Sequence, residues 1–211
     1  MLAALARFKV AAVLALLLIP MKSFALTAPI TCGQVVGNTT TTANQIDQYT
    51  YTATAGQQLS FALWGPSDRS ERYSMVADIY TPGGQLITTL VVGYRSIDRG
   101  ASQLLTMTNG GTYTILVHEN GYRLALDYSM SIQSVTGGGC NATAISCGQT
   151  VSGTTTSQSE VRAYSYTATA GQQLSFALWG PSDNSGGYSM VADIYTPSGQ
   201  LITTLVAGID P

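Results

Sequence analysis

Apolar and polar side chains alternate with a period of two over short stretches of this 211-residue chain, as in half-buried β-strands. Tyr49, Tyr51 and Ala53 alternate with Gln48, Thr50 and Thr52. Leu59, Phe61 and Leu63 alternate with Ser60 and Ala62, and Met75, Ala77 and Ile79 line the next stretch. Gln85 to Val92 and Gln103 to Thr108 follow, then Tyr113, Ile115 and Val117, and last Tyr128, Met130 and Ile132. Gln34 to Thr42 reads as a polar first strand. Turn chemistry separates the runs at Ala55-Gly56-Gln57, Gly65-Pro66, Thr81-Pro82-Gly83-Gly84 and Asn109-Gly110-Gly111. Pro there sets φ, and Gly is free to take positive φ. No segment carries helical periodicity of useful length. About eight short strands in roughly 110 residues predict an all-β fold, an antiparallel sandwich.

The pattern then repeats. Tyr51 to Asp68 (YTATAGQQLSFALWGPSD) returns unchanged as Tyr166 to Asp183, 18 identical residues at an offset of 115. Tyr73 to Pro82 recurs at Tyr188 to Pro197, and Gly84 to Val91 at Gly199 to Val206. A period this long is a whole domain, since solenoid repeats run at about 20–50 residues. The expected organisation is a complete domain over 26–140, a linker over 141–145 and a second copy over 146–211 that stops short of full length. That copy lacks counterparts of Gln103 to Ser134. An apolar face and an open sheet edge are therefore expected in it, with strand completion by a neighbouring molecule as one outcome. A chain that is a piece of a longer array is the other.

Residues 1–25 read as an export signal: Arg7 and Lys9, an apolar run from Val10 to Ile19, Pro20, and small residues Ser23 and Ala25 ahead of a cut after Ala25. The uncharged stretch between Lys9 and Lys22 holds only 12 residues, and a membrane-spanning helix needs about 20. Removal of the signal leaves six Arg against 11 Asp and Glu, a net charge of −5. So few cations exclude a nucleic-acid footprint and a polybasic patch for anionic lipid. No membrane insertion is expected after cleavage.

Three cysteines fit an oxidising compartment. Cys32 opens the first copy and Cys140 closes it, so a bridge between them would tie the ends of one domain and leave Cys147 as a free or intermolecular thiol. The competing pairing joins Cys140 to Cys147 and leaves Cys32 free.

In order along the chain, Asp47-Gln48-Tyr49, Thr54 to Leu59, the strand and turn Ala77 to Gly84, Gly111 to Val117 and Tyr128 to Ile132 give the first copy a likeness to a known family. It resembles the bacterial pre-peptidase C-terminal domain, a jelly-roll-like β-sandwich attached to many secreted enzymes. The resemblance covers nearly all of Cys32 to Cys140 and implies a non-catalytic domain. Some members bind calcium or an extracellular polymer such as collagen. The calcium-binding members carry several acids before the first aromatic strand, whereas here Asn38 to Gln48 holds only Asp47.

Candidate chemistry is sparse. His118, the single histidine, sits where a strand runs out beside Glu119 and reads as an exposed strand-end residue. No Gly-x-Ser-x-Gly, zinc spacing or phosphate loop accompanies it. No catalytic residue is expected. Asp68, Glu71 and Asp183 are weak calcium candidates, because the ion needs 6–8 oxygen ligands and these loops offer few acids. Asp78 and Asp193, between core-facing Ala and Ile, belong on the outer sheet face. Trp64 has the opposite parity to Phe61 and Leu63. It either stacks on sugar rings or polymer chains, or caps the end of the sandwich. With Tyr73 and the counterparts Trp179 and Tyr188 it forms the candidate ligand surface. The expected function is a secreted, non-catalytic binding or adhesion module on a bacterial exterior, with a glycan or matrix protein as partner. The alternatives are accessory domains of a larger secreted hydrolase or peptidase, and a structural spacer.

Overall fold

The computed structural model describes residues 23–65, 73–93, 100–180 and 189–208. Among the described residues nine strands build the first copy: β1 (Ser23–Pro29), β2 (Val35–Thr39), β3 (Gln45–Ala53), β4 (Gln58–Trp64), β5 (Ser74–Tyr80), β6 (Leu86–Gly93), β7 (Gly100–Thr106), β8 (Gly111–Glu119) and β9 (Asp127–Ser134). They form a five-stranded sheet in the order β1-β3-β8-β5-β6 and a four-stranded sheet in the order β2-β9-β4-β7. The predicted parity decides the layers. Tyr49, Tyr51, Met75, Ala77, Ile79, Tyr113, Ile115 and Val117 from one sheet meet Leu59, Phe61, Leu63, Tyr128, Met130 and Ile132 from the other, all buried in one core. Burying each of the larger apolar side chains is worth about 1.5–3 kcal/mol.

Three departures from the sequence reading have local causes. First, a further strand, β1, precedes the polar one. Its later half pairs in parallel with β3, Ala28 opposite Tyr49 and Pro29 opposite Thr50, and Ile30, 3% exposed, donates its N–H to the Thr50 carbonyl at 2.9 Å. Pro29 masked this strand in the sequence, yet an edge strand tolerates proline. Second, the polar first strand ends at Thr39, and β3 begins at Gln45 instead of Gln48. The Gln45 side-chain oxygen accepts the Thr41 N–H at 2.7 Å and the Thr41 hydroxyl at 3.1 Å, closing a turn between them. Third, His118 is buried, not exposed, at 6%. The Tyr122 ring stacks on it, with centroids 4.5 Å apart and planes 11° apart.

Cys32 and Cys140 are joined, with Cα atoms 5.7 Å apart across 108 residues of sequence. Cys147 is an exposed thiol.

Among the described residues beyond Ser134 there are four further strands: β10 (Thr143–Ala144), β11 (Tyr164–Ser165), β12 (Ser189–Tyr195) and β13 (Leu201–Gly208). Their pairings reproduce those of the first copy residue for residue at the offset of 115. Ser189 pairs with Gly208 as Ser74 pairs with Gly93, and both ladders shift register after the Ile, at Ile194 and Ile79. Thr143 pairs with Tyr164 as Ala28 pairs with Tyr49.

Candidate functional site

A groove of about 410 Å³ opens on the outer face of the four-stranded sheet, lined by Trp64, Gly65, Asp127, Tyr128, Ser129 and the stretch Thr155 to Gln158. Parity puts Trp64 there. Leu59, Phe61 and Leu63 take the inner face of β4, so the next residue emerges on the outside, half-buried. Two glycines shape the surface beneath it. Trp64 pairs across the ladder with Gly100 on β7. A Cβ on Gly100 would sit 2.6 Å from the indole Cε3, so only glycine lets the ring lie against that strand. Gly65 has φ +150°, and a Cβ there would come within 2.6 Å of the Asp127 carbonyl oxygen, a close approach reserved for glycine. The indole Nε1 is buried and meets no acceptor among the described residues.

The opposite wall comes from the second copy. Thr155 to Gln158 lead into a turn over the sheet, closed by the Glu160 N–H donating to the Ser157 carbonyl at 3.1 Å, and the next residue anchors it: the Ser131 hydroxyl on β9 donates to the Ser159 carbonyl. Ser131 points outward from its strand, yet it is only 3% exposed, and Ser159 only 4%. The stretch is also braced internally. Glu160 Oε2 accepts the Thr156 N–H at 2.6 Å and the Thr156 hydroxyl at 2.9 Å, while Glu160 Oε1 accepts from Arg162 Nε at 2.8 Å. The Thr156 main-chain donor first, then its hydroxyl and Arg162, hold the Glu160 carboxyl below the usual carboxylate range. A carboxylate on one wall and uncharged hydroxyls and an amide on the other suit a neutral, hydroxyl-rich ligand better than an anion.

The sequence-predicted residues divide as follows. Trp64 lines the groove. Tyr73 is partly buried against the core. Trp179 is 86% exposed and does not line the groove that Trp64 lines. Tyr188, Asp68, Glu71 and Asp183 lie outside the described residues. No group of three or more His, Cys, Asp and Glu able to hold a metal ion occurs among the described residues. Asp78 is on the outer face of the five-stranded sheet, where its carboxylate accepts the Thr89 hydroxyl at 2.6 Å and lies 3.3 Å from His118 Nε2. The sequence reading missed Gly100, Asp127, Ser129 and Thr155 to Gln158. They lie far apart in the chain, and no local pattern groups them.

No protein-family model and no curated protein matches the chain. Among solved structures it is similar to the pre-peptidase C-terminal domain of a collagenase from Bacillus anthracis, at 9% identity and TM-score 0.40, over 50% of this chain and 93% of that one. It is also similar to a periplasmic inhibitor of g-type lysozyme from Aeromonas hydrophila, at 16% identity and TM-score 0.38, over 51% and 94%. A surface-associated copper-binding protein of Methylomicrobium album matches at 9% identity and TM-score 0.40, over 52% and 98%.

Proposed function

We propose that this chain is an exported, non-catalytic binding module whose ligand is a neutral extracellular polysaccharide held in the Trp64 groove. The observation that carries the reading is the groove itself: an indole set on the solvent side of a sheet by Gly100, ringed by hydroxyls, an amide and one carboxylate. Sugar rings present apolar C–H faces to an aromatic plane and hydroxyls to such a rim. A volume of 410 Å³ falls within the range of about 300–1,000 Å³ typical of small-molecule sites. The Cys32–Cys140 bridge supports an extracellular or periplasmic location.

The test is binding of the full chain to arrayed glycans and matrix proteins, followed by the Trp64→Ala variant. Retention on one or more neutral glycans, lost in the variant, is the expected result. Retention on none of them, or retention that survives Trp64→Ala, would sink the reading.

A second reading rests on β12. In the first copy the corresponding strand β5 pairs with β6 on one side and β8 on the other. β12 pairs only with β13 among the described residues, and Met190, Val191, Ile202 and Val206 are 41–67% exposed. An unpaired apolar edge is a template for an added strand. We propose that another chain completes this edge. Sedimentation should then show a mass that rises with concentration, and a monomer at every concentration would exclude it.

A further inference from the structure

We infer that the Trp64 groove is a composite site, closed only when the second copy lays Thr155–Gln158 across the first, so that one ligand segment is gripped by both copies. The inference rests on the proposed binding reading and goes further, because it makes ligand binding a property of the seam between copies and not of one sandwich.

Four observations converge on it. The walls are divided: Trp64, Gly65, Asp127, Tyr128 and Ser129 belong to the first copy, and Thr155, Thr156, Ser157 and Gln158 to the second. The strap is seated, with Ser131 and Ser159 buried against each other on what parity alone would make an open sheet face. A separate contact holds the copies together, the Gly137 N–H donating to the Pro197 carbonyl at 3.1 Å. Last, the strap has been released from the role its counterpart plays. In the first copy the Gln45 amide donates to Asp47 at 2.9 Å, and Asp47 is fully buried. At the offset of 115 the pair becomes Glu160 and Arg162. The hydrogen bond survives with its direction reversed, Arg162 donating to Glu160, and Arg162 is exposed. An ion pair is costly to bury even when its partners meet, and this one stays at the surface. Thr40, Gln45 and Asp47, which anchor the first copy's turn, are buried, whereas Thr155 and Arg162 are exposed, so the second copy's turn is not tied into a core of its own and is free to line its neighbour.

The discriminating variants touch the brace and the tether but no groove residue: Glu160→Ala with Arg162→Ala, and separately Ser131→Ala, each in the full chain. Cellohexaose, chitohexaose and laminarihexaose are titrated calorimetrically into wild type, Trp64→Ala and both strap variants. Hydrogen exchange of β3, β8 and β9 verifies that the sandwich is intact in each. The expected result is loss of binding in Trp64→Ala and a weakening of about tenfold in each strap variant, the scale of one or two lost hydrogen bonds. Strap variants that bind like wild type, while Trp64→Ala does not, would overturn the composite site and leave the binding reading standing. If no oligosaccharide binds wild type, the groove reading fails and the composite site fails with it. In wild type, bound ligand should also slow exchange at residues 155–160, and unchanged exchange there counts against the strap.

Discussion

Asp47 has no exposed surface, in a chain that carries few charges. Its carboxylate is kept by three donors: the Tyr128 hydroxyl at 2.7 Å and the Asn38 and Gln45 amides, each at 2.9 Å. Because the Tyr128 proton goes to Asp47, Tyr49 is the donor in the 2.8 Å contact between the two phenols. A buried network satisfied at every member is stable, and one missing a member is costly. Tyr128→Phe removes one donor to Asp47 and the acceptor of Tyr49, so it should cost about 1–3 kcal/mol in urea unfolding. Burial above all raises the Tyr49 and Tyr128 phenols above their ordinary value of 10. The folded state therefore holds those protons to higher pH than the unfolded chain does. Stability from this pair is present in full below about pH 10 and falls as pH climbs beyond it. Unfolding midpoints measured between pH 8 and 12 should be flat and then drop, and the drop should shrink in Tyr128→Phe.

The 18 repeated residues show at the element scale what local sequence can and cannot build. The turn forms in both copies. Gly56 and Gly171 have φ of 82° and 79°. The Gln57 amide reaches the Tyr51 hydroxyl at 3.2 Å, and the Gln172 amide reaches Tyr166 at 2.9 Å. The strand that follows forms only once. Gln58–Trp64 is β4, bonded to β7 on one side and β9 on the other, whereas 173–179 carry no ladder. Phe61 is 1% exposed and Phe176 is 42% exposed within the same sequence. Phe61→Ala should thus cost about 3–5 kcal/mol, while Phe176→Ala should stay within about 0.5 kcal/mol. Chemical denaturation of the two variants side by side checks this, and equal losses would contradict the structure.

For the molecule as a whole, the ends of the first copy are joined by the Cys32–Cys140 bridge, which spans 108 residues. Closing a loop of that size in the unfolded chain is worth about 4–5 kcal/mol by chain entropy. Cys32→Ser with Cys140→Ser should lower the urea midpoint accordingly, and Cys147→Ser should leave it unchanged.

Faces and turns were legible in the sequence because each follows from neighbours a few residues apart or from repeats of one pattern, and the bridge was one of two pairings that the cysteine positions allowed. Leu59, Phe61 and Leu63 against Trp64 is a statement about parity, and parity is local. What covers a face is not local. His118 looked like an exposed strand end because Tyr122 reaches it only through a loop with its own backbone at φ +54°. The groove was invisible for the same reason: β4, β7, β9 and residues 155–158 meet only once two sheets and a second copy are in place. The sequence by itself determined an all-β unit and its inward side chains, since alternation and turn propensity act over a few bonds, while the choice between two cysteine pairings was made by the fold that brings Cys32 to Cys140. The tertiary structure decided which of two identical segments became a strand. A β-strand is hydrogen-bonded to its neighbours, not to itself, and only the first copy has neighbours for that stretch among the described residues.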